Sequence, residues 1–277
     1  MTRTGLAVRL PHGTSTGAIQ MATDAALLAW AAAAPRRLAF RTYAWTRPTI
    51  SLGRREPFPE GWDLARLRAD GIDVVRRPTG GDSVFHDDEL TFAIAASLPG
   101  PLSLSPRGFA DAVAEAVAAA VSAAGIRAHR VEAAEADPGA PGLACFAQTA
   151  RGEVRARGYK IAGIASRFAR GAALCHASVP LGTRYRDVAR YRRDGTRDGA
   201  MIAAHARSLG ELAASGIAPG ALAERLADSI AGRFGVTLEQ AEPSALGIEV
   251  PASAWAPFAL LDGAAPGAAR AAGGARP

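Results

Sequence analysis

The sequence predicts an α+β fold, with a mixed, largely antiparallel sheet and flanking helices. Runs of strong helix formers lie near residues 16–34, 109–124, 200–214 and 219–234. Between them stand short β-like runs joined by turns that carry glycine, proline or Arg-Gly pairs. No internal repeat is present, and helices flanking hairpin-connected strands favour α+β over alternating βαβ units. With 277 residues, 49% of them hydrophobic, the chain can bury a core without a disulfide or a metal. The same hydrophobicity excludes intrinsic disorder.

The first element, residues 16–34, sets Ile19, Met21, Leu27, Leu28 and Trp30 among helix formers, and Pro35 stops it. Leu38 to Trp45 alternates as a strand, and Thr49 to Leu52 continues β-like up to Gly53. Residues 62–70 form a short helix that Gly71 ends. Ile72 to Arg77 is a strand broken by Pro78 and the Gly80-Gly81 pair; Ser83 to Phe85 and Leu90 to Ala95 are further strands. Phe109 to Ala124 is an alanine-rich helix ended by Gly125, and residues 133–143 are a loop. Strand-like pieces follow at Ala144–Gln148, Glu153–Arg157, Tyr159–Arg167 and Ala172–Leu181, and then the last two helices. From Pro251 the composition turns to Ala, Gly and Pro. The chain thus divides into one folded domain, residues 1–250, and a flexible tail, residues 251–277.

Composition excludes several function classes. The longest apolar run, Ala25 to Ala34, holds ten residues, short of the roughly 18 that a membrane span needs. The N-terminus lacks the charged-then-apolar pattern of a signal peptide, and two cysteines are too few for a disulfide scaffold. A soluble, cytoplasmic protein with no membrane partner is expected. Residues 145–200 hold 12 Lys or Arg against four acids, so the chain's whole +6 surplus lies there. Such a stretch fits a solvated face, nucleic acid or an acidic protein.

Of the 32 cationic residues, 31 are Arg; the one lysine is Lys160. Arg equals Lys in charge but is a wide fork rather than a compact point, so a site that keeps Lys calls for the compact cation. Lys160 stands in GYKIAGIASRFARGAALCHASVPL (158–181), with Gly163 three residues on. The other informative segment is RRPTGGDSVFHDDELTF (76–92). There, Gly80-Gly81 permits positive φ and close approach of a ligand to the backbone. The Arg76 and Arg77 forks and nearby N–H groups can hold a carboxylate, phosphate or thioester oxygen. Read alone, these residues also fit an ordinary β-turn, a structural His86 and a small buried Cys145.

Together the two segments resemble the biotin/lipoate protein ligase and octanoyltransferase superfamily. Its members carry Arg-Arg-x-[Ser/Thr]-Gly-Gly followed by Val-x-His, then Lys-[Ile/Val]-[Ala/Ser]-Gly and a His-bearing strand. MATDAALL and FRTYAWTRPTISLGRRE are similar to the family's first helix and hairpin, and the resemblance covers roughly residues 16–245. It implies a biotin/lipoate ligase-like catalytic domain over residues 1–250. Cys145 lies fifteen residues before Lys160, which resembles octanoyltransferases of the Cys/Lys type, as does ELTF (89–92).

The resemblance implies Cys145 and Lys160 as catalytic residues, and Arg76, Arg77, Thr79, Gly80, Gly81, His86, Gly163 and His176 as substrate-binding ones. It implies octanoyl transfer from acyl carrier protein to a lysine of a lipoyl domain or glycine cleavage H-type protein. No metal or cofactor is implied, ATP entering only if the chain is a lipoate–protein ligase. A non-catalytic acyl- or protein-binding relative is the third reading. Acidic partner domains would account for the basic stretch without nucleic acid. Chemically, a thiol with pKa about 8.5 is mostly protonated at neutral pH. The Lys160 ammonium is therefore expected to lower the Cys145 value and to stabilise an oxyanion. Departures from the family pattern are Asp82, Cys175, Ala177 and the stretch Thr149 to Gly152. Cys175 is also considered as a redox partner for Cys145.

Overall fold

A computed structural model describes residues 5–98, 104–137, 143–214 and 216–262. Strands β1 (Leu6–Arg9) and β2 (Gly13–Ser15) lead into helix α1 (Gly17–Ala32). Strands β3 (Arg37–Trp45) and β4 (Thr49–Leu52) follow, then α2 (Leu64–Ala69), β5 (Asp73–Arg76), β6 (Val84–His86) and β7 (Glu89–Ser97). Helix α3 (Pro106–Ala123) opens on a Ser105 cap that accepts from the Gly108 N–H, with proline in its first turn, and closes before Gly125 at φ +93°. Strands β8 (Ala128–Arg130), β9 (Val154–Ala156), β10 (Tyr159–Ala169) and β11 (Ala172–Pro180) come next. The chain continues through α4 (Gly195–His205), α5 (Leu209–Leu212), α6 (Pro219–Phe234), β12 (Glu239–Gln240), α7 (Ala252–Trp255) and β13 (Ala259–Leu261).

One large sheet runs in the order β12-β1-β3-β7-β11-β10-β9-β8, with β2 added beside β3. Its centre, β3 to β9, is antiparallel, and only the β1, β2 and β12 pairings are parallel. The fold is the α+β class that the sequence predicts. Helices α3 and α6 cover one face over Phe40, Phe92 and Ile94, and α1 covers the other over Ala93 and Ala95. Burying Leu or Phe side chains at about 1.5–3 kcal/mol each makes these two faces the main apolar contribution to stability. A second sheet, β13-β5-β4-β6, packs with a 3₁₀ segment at Arg184–Tyr191 and with α4 around Trp62, Phe85 and Tyr191. The candidate site lies where this sheet meets the open part of the large one.

Three expectations are corrected. The Ala144–Gln148 stretch is not a strand but a 3₁₀ turn at Cys145–Ala147. Its N–H groups are taken by Asp198 (to Ala144, 3.1 Å) and by the Ser83 carbonyl (to Cys145, 3.0 Å), leaving no ladder to join. The helix expected near 200–214 is two helices, α4 and α5, because the chain extends at Ala206 to pair with Lys160. The tail does not begin at residue 251. Residues 252–261 fold, and β13 pairs antiparallel with β5 through Ala259–Val75 and Leu261–Val74. Residues 263–277 of the expected tail, and residues 138–142 of the expected loop, lie outside the described residues. Strands β5 and β6, on either side of the Gly80-Gly81 turn, are separated by β4 in the small sheet.

Candidate active site

The site is built on β10. A register shift between Lys160 and Ala162 turns the strand so that Lys160, Gly163, Ile164 and Ala165 all border one cavity. The hairpin turn ahead of it is made by Arg157 (φ +50°) and Gly158 (φ +83°), which fixes where Lys160 starts. Facing it, the Cys145 turn is held by Asp198, by Ser83 and by Phe146 packing on Tyr185 at 5.1 Å. A Cβ on Gly163 would lie 3.2 Å from the Cys145 sulfur, so glycine there lets the thiol sit against the strand.

Lys160 is 1% exposed. Its Nζ donates to the Cys145 carbonyl (2.6 Å), the Gln148 carbonyl (3.1 Å) and Glu153 Oε1 (2.7 Å), and it stands 3.4 Å from Cys145 Sγ. Burial works against the ammonium, but the Cys145 sulfur and the Glu153 carboxylate more than offset it, and the lysine is held above its ordinary value. The expected lowering of the Cys145 thiol is corrected. Burial dominates and pushes the thiol up; the attraction of Lys160 is partly cancelled by Glu153, which pairs with the same ammonium.

The cavity measures about 250 Å³ and opens between the two sheets. Many of its walls are polar by residue, yet their polar atoms are spent on one another, so the surface offered is mostly carbon. Two relays show this. Asp24 accepts from Arg41 (2.5 Å) and from His176 Nδ1 (2.9 Å), and His176 Nε2 lies 2.6 Å from the Thr79 hydroxyl. Burial lowers His176 in spite of Asp24, so the neutral ring donates to Asp24 and accepts from Thr79. In the second relay His86 stacks on Trp45 at 4.1 Å and reaches Ser51 Oγ and Glu89 Oε1, each at 2.7 Å. Glu89 also accepts from Ser178 and Thr91.

The structure brings Cys145, Lys160, Arg77, Gly81, His86, Gly163 and His176 to the cavity. Thr79 lies beneath it, bonded to His176, and Gly80 borders not the cavity but a neighbouring outer cleft. Arg76 does not line the cavity; its guanidinium donates to the Gly53 and Glu56 carbonyls at 2.8 Å each. Arg77 lines it but is committed to the loop, donating to the carbonyls of Ser51, Gly80 and Asp82. Arg77 therefore shapes the Gly-Gly turn, and Arg76 the loop that follows β4. Cys175 is no partner for Cys145: it points from β11 into the core under α3, opposite His176, and burial pushes its thiol up to about 12. Asp24, Glu89 and Ser51 lie in segments that carry the family resemblance but were not among the expected site residues. The signal for Asp24 was an acid inside an otherwise apolar helical run.

Residues 16–231 match the family model of the lipoyl protein ligase A/B catalytic domain. The chain belongs to this family. It is 31% identical over 254 residues to the octanoyltransferase LipM of Kyrpidia tusciae, covering 86% of this chain and 90% of that one. With the octanoyltransferase LipM of Oceanobacillus iheyensis it shares 35% identity over 170 residues, 59% of this chain and 60% of the relative. The fold is similar to that of a bipartite lipoate protein ligase from Thermoplasma acidophilum, solved in a study with its E2 lipoyl domain. The TM-score is 0.67 at 17% identity, covering 86% of this chain and 87% of that one. Among the described residues no three His, Cys, Asp or Glu side chains are grouped to hold a metal ion, and no helix is long and apolar enough to cross a membrane.

Proposed function

We propose that the protein transfers an octanoyl or similar acyl group from acyl carrier protein to a lysine of a lipoyl domain or glycine cleavage H-type protein, by way of a thioester on Cys145. One observation carries the reading. The chain's single lysine places its ammonium 3.4 Å from a cysteine sulfur, at the wall of a mostly apolar cavity of about 250 Å³. That pairing suits an acyl chain at one end and thioester chemistry at the other. The LipM relatives, named octanoyltransferases, support it. The reaction belongs to the cytoplasm, where acyl carrier protein would meet its acceptor.

In the first half-reaction Cys145 Sγ bonds to the carbonyl carbon of the octanoyl thioester. The carrier thiolate leaves and takes up the proton that Cys145 gives up. Lys160 stabilises the sulfur as it gains negative charge, and Glu153 keeps that cation in place without filling the cavity. In the second, the acceptor ammonium first gives one proton to solvent; the neutral amine bonds to the same carbon, the C–S bond breaks, Cys145 takes one amine proton, and the amide keeps the other. The existing thioester supplies the activation, so the scheme calls on no ATP.

Intact-mass analysis after mixing with octanoyl carrier protein tests this. One octanoyl adduct is expected on the wild type and none on Cys145→Ala, whose circular dichroism should be unchanged. Full transfer by Cys145→Ala would overturn the mechanism. Release of pyrophosphate from lipoate and ATP, without an adduct, would identify a ligase instead.

A further inference from the structure

The resemblance to the octanoyltransferases leaves Asp82 unexplained, since it implies Gly or Arg at that position. Asp82 follows Gly81, which turns at φ +84°. Among the described residues these two alone border both the acyl cavity and an outer cleft of about 780 Å³. Gly81 has no side chain, so Asp82 supplies the one side chain shared by the two spaces. Its Oδ2 accepts from the Gln148 amide at 2.6 Å, and Gln148 lines the cavity beside Cys145. That bond fixes the carboxylate without neutralising it.

The charges around the sulfur give this carboxylate a task. Lys160 and Arg77 are buried cations, 1% and 4% exposed, that border the cavity with Cys145. They favour a neutral thioester and its oxyanion, but they repel an alkylammonium, and an acceptor lysine with pKa about 10.4 arrives as one. Two carboxylates line the cavity, Asp82 and Glu153. Glu153 is engaged by Lys160 and by the Ala150 N–H. Asp82 forms no ion pair among the described residues, Arg77 bonding its carbonyl rather than its carboxylate, and it stands where the cavity meets the outer cleft.

We propose that Asp82 is the amine-selecting residue of the second half-reaction: it receives the acceptor's ammonium at the cavity mouth and sets its nitrogen toward the acyl group on Cys145, which it attacks as the amine once one proton has passed to solvent. The inference rests on the acyl-enzyme reading above. In the experiment, wild type, Asp82→Asn and Asp82→Glu are loaded with octanoyl from the carrier thioester, isolated, and chased with a lysine-bearing acceptor peptide or with hydroxylamine. Hydroxylamine is uncharged at the same pH. Asp82→Asn is expected to slow the peptide chase about tenfold, with Asp82→Glu recovering much of the loss. The hydroxylamine chase should change less than about twofold in either variant. Added salt should slow the peptide chase in the wild type and barely in Asp82→Asn. Equal loss with both nucleophiles would reduce Asp82 to a loop residue and overturn the proposal, as would an unchanged peptide chase. A wild type that never loads would be seen before any chase and would remove the acyl-enzyme reading itself, and this inference with it.

Discussion

Lys160 is surrounded by three oxygens within hydrogen-bonding reach and one sulfur, all at positions that suit a compact ammonium. A guanidinium placed there would keep the charge but spread it over a wider plane, displacing Gln148 or the Cys145 turn. Lys160→Arg is therefore expected to lower the acylation rate by about a hundredfold, since misplacing a reacting group by an ångström costs that much. Single-turnover loading from octanoyl carrier protein measures it; a rate near the wild type would make the lone lysine an accident of composition. The position was legible in the sequence because one lysine among 31 arginines is conspicuous. Its effect on the thiol was not. The ammonium that attracts a thiolate is shared with Glu153, and burial of the sulfur outweighs the remainder.

At the scale of elements, the Arg41–Asp24–His176–Thr79 relay ties α1, β3, β11 and the Gly-Gly loop into one unit. Burial alone would raise the Asp24 carboxyl; Arg41 and His176 together outweigh it and hold it below its ordinary value. The sign follows from linkage. The stability Asp24 supplies is present above the ordinary carboxylate range and is lost as pH falls through its lower, folded value. Asp24→Asn leaves Arg41 buried without its counter-charge and is expected to cost about 3–5 kcal/mol in urea unfolding at neutral pH. The cost should shrink as the pH is lowered toward acid unfolding; an unchanged midpoint would show that the relay is not holding the helix to the sheet. The central strands were readable from alternation, but the short outer strands β1, β2, β8 and β12, two to four residues each, carry too few positions to show a period.

Across the whole molecule, residues 252–261 complete the small sheet rather than trailing from it. Strand β13 pairs with β5, and Leu260 and Leu261 pack against the cluster around Ile50 and Phe85. Trp255 and Phe258 lie instead against the core under α1. Removing residues 251–277 should lower the unfolding free energy by about 3 kcal/mol, four half-buried apolar side chains each contributing less than a fully buried one. Thermal unfolding of the shortened chain measures it, and an unchanged midpoint would make β13 dispensable. The Ala, Gly and Pro content that reads as a flexible tail is local, whereas the strand exists because β5 offers an unpaired edge.

The sequence by itself determined the fold class, the order of the central strands' segments, and the two segments that meet at the site. These rest on periodicity, on glycines at turns and on one unusual lysine, all local or compositional signals. Only the tertiary structure decided what each polar group faces. It turned Arg76 and Arg77 to backbone carbonyls, gave Glu153 to Lys160, and set Asp82 at the mouth on the Gln148 amide. The reason is physical: a buried side chain's charge and orientation depend on whichever distant segments bring partners within about 3 Å, and no spacing along the chain encodes that distance.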